Sequence, residues 1–470
     1  MLFTIADIIE ATGGTLVAGN GEGMVAGVST DSRTAAPGEL FIPLRGDRFD
    51  GHDYLEAAFA CGVRMVAAER CWLAGRQLPA GVTCIAVDDT LKALGDLASF
   101  HRRRFDLPVV GVTGSNGKTT TKEMLAAILA GTGEGLKTAG NLNNLIGLPQ
   151  MLFCLNASHR WAVLEMGMSE YGEIDRLAEI AHPAVGVITN AFPAHLETLG
   201  SVEGVAKAKG ELFLRLPTGG CAVFNADDPL IARCPSPEGV RRISFGFQDA
   251  DVTVDAVENL GIRGQRFMLR LPGAAVMVTL RAFGRHNVAN ALAAAAAAYV
   301  LGVGAEEIAR GLGTFTPYDR RFDIEEAGEV ILIDDSYNAN PASMAAALTT
   351  LREINKGQRA VAVLGDMLEL GEGAEEAHRQ LGRLAATCID RLYVLGGMAA
   401  IVAAGAREGG MAEGEIIVAT SHEAIVDDLR RTVGAGDFIL VKGSRGMAMD
   451  RVAEGVRKMG AASVGKGGNI

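Results

Sequence analysis

Residues 111–124, GVTGSNGKTTTKEM, decide the fold of this chain. The apolar run 109–113 predicts a buried strand, and Gly114 and Gly117 allow a tight turn that an anion can approach closely. A helix that begins near Lys118 directs unpaired N–H groups and the positive end of its dipole at that turn. The stretch therefore predicts a polyphosphate-binding loop between a strand and a helix.

The residues after the second glycine are of the types that bind nucleotide phosphates. Lys118 would reach the terminal phosphates, and the Thr119 hydroxyl would reach Mg²⁺. The usual spacing GxxxxGK[ST] places a glycine five residues before Gly117, but that position is Val112 and the glycine is Gly111. The alternative is a plain glycine turn, and Lys-Thr-Thr directly after Gly117 favours phosphate binding.

The composition is that of an ordinary globular protein. With 470 residues, 49% apolar and 21% charged, the chain is long enough for about three domains. A formal net charge of −12 argues against a nucleic-acid partner, because phosphate backbones need basic surfaces.

The seven cysteines are scattered without CxxC spacing, which predicts buried thiols. The start, MLFTIADIIEATGG, does not resemble a secretion signal, and no long apolar run is free of charges or glycines, so we expect a cytoplasmic protein without a transmembrane segment.

Three blocks of the sequence differ in texture, and together they predict an α/β fold of three domains. Residues 1–105 mix short strands and helices and end in the charged stretch FHRRRFDLP, which is typical of a linker. Residues 106–316 carry apolar runs followed by polar loops and helices, which predicts a mostly parallel sheet with an antiparallel addition between 251 and 283. Residues 317–470 repeat that rhythm and predict a second open, Rossmann-like α/β domain.

Several polar residues follow the predicted strands, where open α/β sheets place their chemistry. Glu165 ends the strand WAVLE and is either a metal ligand beside the phosphates or a surface charge. His195 follows the strand VGVITN and is either a site residue or a loop residue. Lys209, by residue type alone, is a solvated helix charge. Segment 284–294, GRHNVANALAA, opens a helix with amides that could pair with a purine edge or cap the helix.

Seven segments, in this order along the chain, resemble the Mur ligases. They are GVTGSNGKTTTKEM, NLNNLIGLP, LEMGMSEYGEI, AHLETLGSVEGVAKAKGELF, GRHNVANALAA, DDSYNANP and LGDMLELG. The phosphate loop of that family has the same shifted first glycine, and residues 29–58 resemble its amino-terminal nucleotide-sugar domain. The resemblance implies a small UDP-binding first domain, a central P-loop domain that binds ATP and a Rossmann-like third domain.

The resemblance also implies roles for individual residues. ATP would be bound by Gly114, Ser115, Asn116, Gly117, Lys118, Thr119 and Thr120, its adenine by His286, Asn287 and Asn290, and its ribose and phosphates by Asp335 and Arg321, with Arg320 as the alternative to Arg321. One Mg²⁺ would be bound by Thr119 and Glu165, and a second by His195 together with a CO₂-derived carbamate on Lys209. Lys118, His195 and Lys209 would be the catalytic residues.

Substrate contacts follow from the same resemblance. The uridine diphosphate would contact Ser32, Arg33, Gly46 and Arg48. Further substrate contacts would come from Asn141 and Asn144, and dipeptide contacts from Asn338, Asn340 and Ser444.

The implied activity is an ATP-dependent ligase reaction of peptidoglycan precursor synthesis, catalysed by a monomer in the bacterial cytoplasm. The terminal carboxylate of UDP-N-acetylmuramoyl-tripeptide would attack the γ-phosphate of ATP, and the amine of D-alanyl-D-alanine would attack the resulting acyl phosphate. Mg²⁺, Lys118 and the helix N-terminus would neutralise the approach of two anions. The alternatives are a sibling ligase, such as folylpolyglutamate synthase or the ligase adding the third amino acid, a P-loop small-molecule kinase, and a nucleotide-regulated binding protein. DDSYNANP and LGDMLELG argue against the sibling ligases.

Overall fold

A computed structural model describes residues 3–46, 49–318 and 320–464, with side chains through residue 460. Its helices and mostly parallel sheets confirm the predicted α/β fold. The predicted boundaries after residues 105 and 316 fall between successive sheets, and as limits of folding units they stay predictions. Within the described residues no helix has the length and apolar character needed to cross a membrane.

The first part of the chain is a five-stranded sheet of order β2-β7-β6-β5-β4, beside a small antiparallel pair β1-β3. Its elements are β1 (Phe3–Thr4), α1 (Ile5–Thr12), β2 (Thr15–Ala18), β3 (Met24–Val25), β4 (Gly27–Ser29), β5 (Glu39–Phe41), α2 (Leu55–Ala60), β6 (Met65–Glu69), α3 (Arg70–Leu73), β7 (Thr83–Val87) and α4 (Thr90–Arg102).

The central part is a six-stranded parallel sheet of order β13-β12-β11-β8-β10-β9, and the antiparallel strands β14-β15-β16 confirm the predicted addition. Its elements are β8 (Val109–Thr113), α5 (Lys118–Leu129), β9 (Gly135–Lys137), α6 (Gly147–Leu152), β10 (Trp161–Glu165), α7 (Glu173–Ala181), β11 (Val185–Ile188), α8 (Leu196–Leu199), α9 (Val202–Leu214), β12 (Cys221–Asn225), α10 (Pro229–Ala232), β13 (Arg241–Phe245), β14 (Thr253–Asn259), β15 (Gln265–Leu271), β16 (Ala274–Leu280), α11 (Arg285–Val300) and α12 (Ala305–Thr314).

The third part is a six-stranded sheet of order β17-β18-β22-β19-β20-β21, parallel except for β17. Its elements are β17 (Asp323–Ala327), β18 (Val330–Asp335), α13 (Pro341–Ile354), β19 (Ala360–Gly365), α14 (Ala374–Cys388), β20 (Arg391–Leu395), α15 (Ala399–Glu408), β21 (Ile416–Val418), α16 (His422–Thr432), β22 (Phe438–Lys442) and α17 (Asp450–Val464).

The central sheet brings three strand ends together. β8 is completely buried between β10 and β11, with Val112 opposite Glu165 on one side and Thr113 opposite Ile188 on the other. The alanine-rich helix α11 packs against α5, and its alanines from 291 to 298 are fully buried. Small side chains allow this close approach of two helices, so the start of α5 is fixed relative to the strand ends.

The cysteines differ in part from the prediction. All seven are free thiols, and Cys84, Cys221, Cys234 and Cys388 are buried as expected. The prediction is wrong for the other three, Cys61, Cys71 and Cys154, which are exposed because they lie at a helix end or in the first turn of a short helix.

Candidate active site

The loop between β8 and α5 has the backbone shape that phosphate binding requires. Gly114 and Gly117 have positive φ angles of 152° and 84°. A Cβ on Gly114 would lie 1.8 Å from Thr189 Oγ1, and a Cβ on Gly117 would lie 2.1 Å from Asn290 Oδ1. Both positions therefore require glycine, and the start of α5 offers its unpaired N–H groups to an anion in the loop.

The segment after β11 holds this loop in place. Ser115 Oγ donates to Phe192 O at 3.0 Å, and Asn116 N donates to Asn190 Oδ1 at 2.9 Å. Thr189 Oγ1 donates to Asn116 O at 2.6 Å. The sequence pattern did not identify Thr189 and Asn190, because the strand next to β8 is known only from the sheet order. Protein groups alone thus hold the loop in this shape.

Lys118 points back over the loop. Its Nζ donates to Gly114 O at 2.7 Å and to Ser115 O at 3.3 Å. Burial lowers the pKa of the Lys118 amine, nearby Glu165 raises it and nearby Arg321 lowers it further. The lysine, the carboxylate and the arginine named from the sequence therefore lie within electrostatic reach of one another.

Glu165 is a carboxylate held entirely by neutral donors. Thr119 Oγ1 donates to Glu165 Oε2 at 2.7 Å, and Asn143 Nδ2 donates to Glu165 Oε1 at 2.8 Å. Glu165 is 3% exposed and has no ion pair within the described part of the chain. A buried carboxylate without a direct ion pair, beside a hydroxyl, matches the oxygen ligands that Mg²⁺ prefers, so these residues fit the predicted metal.

His195 sits in the loop that starts α8. Its φ of 52° places it in the left-handed region, and its Nδ1 lies 3.4 Å from Oε2 of Glu369 in the third part of the chain. Burial lowers the pKa of the His195 imidazole, Glu369 raises it, and Lys209 and Lys118 lower it. A neutral imidazole near these groups is suited to bind a metal.

Lys209 on α9 is 3% exposed, which excludes the alternative of a solvated helix charge. Its amine makes no hydrogen bond or ion pair to another of the described residues. Burial, and then the charge of Lys118, hold the pKa of Lys209 well below its ordinary value. The lowered pKa shifts the amine toward its neutral form, which is the form that reacts with CO₂.

The amides at the start of α11 bind protein groups. Asn287 Nδ2 donates to Phe283 O at 2.9 Å, and Asn290 Nδ2 donates to Asn287 Oδ1 at 3.1 Å. Asn290 also lies against Gly117, so it supports the phosphate loop. Burial, with a smaller effect of Lys442, lowers the pKa of His286 to about 4. Contact of these side chains with adenine stays a prediction.

The third part of the chain separates the two candidate arginines. Arg320 Nη1 donates to Asp450 Oδ2 at 2.6 Å. Arg321 instead stacks on Tyr337, with 4.1 Å from its Cζ to the ring centroid, and its buried Nε has no hydrogen-bond partner within the described residues. An unpartnered guanidinium donor near Lys118 is available to a phosphate, which favours Arg321.

Asp335 and Asn338 lie in one network around a buried lysine. Lys442 Nζ lies 2.7 Å from Asp335 Oδ2 and donates to Asn338 O at 2.9 Å. Burial raises the pKa of the Asp335 carboxyl and Lys442 lowers it. Ser444 is buried, and its Oγ accepts from Leu368 N at 2.9 Å. These contacts stabilise loops at the carboxyl ends of β18 and β22.

The remaining residues predicted from the sequence make contacts that do not join them into one described cluster. Arg33 is bound to Asp31, 2.7 Å away, and its side chain is 86% exposed. Gly46 N donates to Phe49 O, and Ser32 O accepts from Cys61 Sγ, while Arg48 lies outside the described residues. Asn141 is exposed, and Asn144 Oδ1 accepts from the backbone at the start of α6. Half-buried Thr120 lies in the first turn of α5.

Sequence comparison assigns the class of protein. Residues 24–102 match the description "Mur ligase family, catalytic domain", residues 112–298 match "Mur ligase middle domain", and residues 320–445 match "Mur ligase, glutamate ligase domain". The chain belongs to the Mur ligase family and is a ligase.

Particular relatives lie within one branch of that family. The UDP-N-acetylmuramoyl-tripeptide–D-alanyl-D-alanine ligase of Bacillus subtilis is 36% identical, with 96% of this chain and 97% of the relative covered. The enzyme of the same name from Escherichia coli is 39% identical, with 92% and 94% covered. A crystal structure of MurF from Acinetobacter baumannii superposes with a TM-score of 0.88 at 32% identity, covering 97% of this chain and 99% of that chain. A crystal structure of a MurF ligase from Thermotoga maritima in complex with ADP superposes with a TM-score of 0.83 at 29% identity, covering 93% of this chain and 98% of that chain.

Proposed function

We propose that this chain joins D-alanyl-D-alanine to UDP-N-acetylmuramoyl-tripeptide at the expense of ATP, in peptidoglycan precursor synthesis. The observation that carries the proposal is that Lys118 lies over the phosphate loop, and the next residue, Thr119, donates to buried Glu165, within a Mur ligase fold. The relatives bearing that activity by name cover nearly the whole chain, which favours this branch over the sibling ligases. Membership of a ligase family excludes the kinase and the binding protein.

The residues suit a reaction through an acyl phosphate. The carboxylate of the tripeptide attacks the γ-phosphorus of ATP and ADP leaves; the amine of the dipeptide then attacks the acyl carbon, phosphate leaves and the nitrogen loses a proton. Lys118 and the N-terminus of α5 stabilise the charge of the transferred phosphoryl group. Arg321, from the third part of the chain, adds a second positive charge beside the same group.

We propose that two Mg²⁺ ions bind beside the phosphate loop. Thr119 and Glu165 would hold the first, and His195 the second, with a carbamate that Lys209 forms with CO₂ as its anionic partner. The ions would supply charge neutralisation where two anions must meet. Buried Glu165, whose oxygens accept only from neutral groups, and the low pKa of Lys209 support this assignment.

We further propose a division of labour among three domains, 1–105, 106–316 and 317–470. The first would bind the uridine diphosphate through Ser32, Arg33, Gly46 and Arg48, the second ATP, and the third the dipeptide. The enzyme would act as a monomer in the bacterial cytoplasm. Arg33→Ala should raise the KM for the UDP-linked substrate and leave the KM for ATP unchanged, and an equal rise in both would contradict the assignment.

A substrate panel tests the proposed function. ADP and phosphate release should require both UDP-N-acetylmuramoyl-tripeptide and D-alanyl-D-alanine, and mass spectrometry should show the product gaining the dipeptide minus one water. The controls omit either substrate or replace the dipeptide by L-glutamate or a diamino acid. Turnover with those amines, and none with D-alanyl-D-alanine, would assign the chain to a sibling activity.

A further inference from the structure

Lys122 is a buried cation outside the phosphate chemistry described above. It lies one helical turn after Lys118 and is fully buried. Its Nζ donates to Thr138 O at 2.7 Å and lies 2.9 Å from Glu123 Oε1. Glu123 also pairs with Lys137. A charge taken out of water must be compensated by such contacts, so its position is strongly specified.

Thr138 connects this cation to the proposed metal ligand. Its hydroxyl accepts from Glu165 N at 2.9 Å, and its own N donates to Val163 O at 3.1 Å. Thr119 and Lys122 are three residues apart on α5 and therefore share one helix face. Lys122 thus holds the backbone of Thr138, whose hydroxyl accepts from the backbone N–H of Glu165. Thr119 donates to the carboxylate of Glu165 itself.

Lys122 also contacts the segment that leads into the third part of the chain. Its Nζ lies 5.4 Å from the ring centroid of Tyr318, a cation–π distance. Residues 314–316 of the same segment border a cavity of about 620 Å³ that Glu123 and Lys137 also line. Phe315 of this segment is buried in the core, and the half-exposed Tyr318 beyond it contacts Lys122 as a further anchor.

We propose that Lys122 is a positioning residue of the ligase, coupling the segment at Tyr318 to the carboxylate of Glu165. A change in the position of Tyr318 alters the charge environment of Lys122, which passes through Thr138 to the metal ligand. The inference rests on the proposed role of Glu165 in binding Mg²⁺. Metal affinity then depends on the contacts that Lys122 makes with Thr138 and Tyr318.

The test measures the Kd of ADP by titration calorimetry with and without Mg²⁺, so the readout is binding and not turnover. Lys122→Met keeps the length of the side chain but removes the charge and the donor, and Glu123 keeps Lys137 as a partner. Because supports of metal ligands typically contribute about tenfold to a hundredfold to metal affinity, the gain in ADP affinity caused by Mg²⁺ should fall by about tenfold or more. Tyr318→Leu should reduce the gain by a smaller factor, while Tyr318→Phe, which keeps the ring, should not.

The outcomes distinguish the positioning role of Lys122 from the role of Glu165 in binding Mg²⁺. If Glu165→Gln leaves the effect of Mg²⁺ unchanged, the metal role of Glu165 fails. If Glu165→Gln abolishes the effect while Lys122→Met retains it, the inference alone is overturned. Equal weakening of ADP binding with and without Mg²⁺ would make Lys122 merely structural. Should Lys122→Met not fold, Tyr318→Leu decides, and an unchanged Mg²⁺ effect there also overturns the inference.

Discussion

Asn116 in the phosphate loop and Asn340 at the start of α13 exchange two side-chain hydrogen bonds. Asn116 Nδ2 donates to Asn340 Oδ1 at 3.2 Å, and Asn340 Nδ2 donates to Asn116 Oδ1 at 2.7 Å. The pair joins the central and third parts of the chain directly at the loop. Asn340, expected to contact the dipeptide, therefore has a partner in the nucleotide site.

The first prediction separates this bridge from helix capping. Asn340 Oδ1 also accepts from Ser343 N at 2.9 Å, as an N-cap. Asn340→Ser retains a good capping residue but is too short to reach Asn116, so kcat should fall, and the free energy of unfolding should fall only by the two lost hydrogen bonds, about 1 to 3 kcal/mol. Ser343→Ala is the matched control: it removes the capping box and should lower stability without changing ATP kinetics. A normal kcat in Asn340→Ser would show that the Asn116–Asn340 hydrogen bonds do not contribute to turnover.

The second prediction concerns Lys118. Lys118→Ala removes the cation that neutralises the transferred phosphoryl group, so kcat should fall by about a hundredfold to a thousandfold. Binding of the UDP-linked substrate and the melting temperature should stay close to those of the unmodified chain. Steady-state kinetics and thermal unfolding measure both, and near-normal turnover would refute the assignment of the phosphate loop.

The third prediction distinguishes the adjacent arginines. Arg321→Ala should lower kcat/KM for ATP by about tenfold to a hundredfold, because a charge-assisted hydrogen bond to phosphate is lost. Arg320→Ala is the control, since it removes a partly exposed ion pair with Asp450 and should cost at most about 1 kcal/mol of stability. Equal kinetic losses in both variants would contradict the choice of Arg321.

The fourth prediction is that Lys209 acts as a carbamate. Lys209→Ala should nearly abolish activity, and acetate or another small carboxylic acid should restore part of it by supplying an anion in the vacated space. Lys209→Arg should be inactive too, because guanidinium stays positive. Lys207→Ala, at an exposed position on the same helix, should behave like the unmodified enzyme. Full activity in Lys209→Arg would end the proposal.

The fifth prediction follows from the low pKa of His286. Its folded-state value of about 4 lies below the unfolded value of about 6.5, so between these pH values only the unfolded chain binds the proton. The free energy of unfolding should therefore fall as the pH is lowered through this window, by up to about 2 kcal/mol at pH 5 from this residue. Denaturant titrations of His286→Gln should show a shallower pH dependence. An identical slope in both chains would refute a histidine that is kept neutral in the folded chain.

The loop and its glycines could be predicted from the sequence because their chemistry is local: backbone angles, a helix start and a lysine within one short stretch. The hydrogen-bond partners of Glu165 could not be predicted from the sequence. Asn141, Asn143 and Asn144 share one short run, and only the path of the chain into α6 turns Asn143 toward the carboxylate. The pairing of Asn116 with Asn340 spans 224 residues, and no local pattern encodes such a contact.

The burial of two lysines could not be predicted from the sequence either. Lys209 and Lys122 are of a type that is usually solvated, and only the packing of α9 and α5 shows that neither is. The choice between Arg320 and Arg321 likewise depended on which guanidinium meets Asp450, a residue far along the chain.

The inward turn of Lys118 onto Gly114 O and Ser115 O has a consequence for nucleotide affinity. A phosphate oxygen must displace two internal acceptors before it can take the same protons, so the net affinity reflects an exchange of acceptors. In return, the lysine already holds the loop in a receptive shape, and little conformational entropy is lost when nucleotide arrives. Nucleotide binding and nucleotide release therefore each exchange one set of hydrogen-bond acceptors of Lys118 for another.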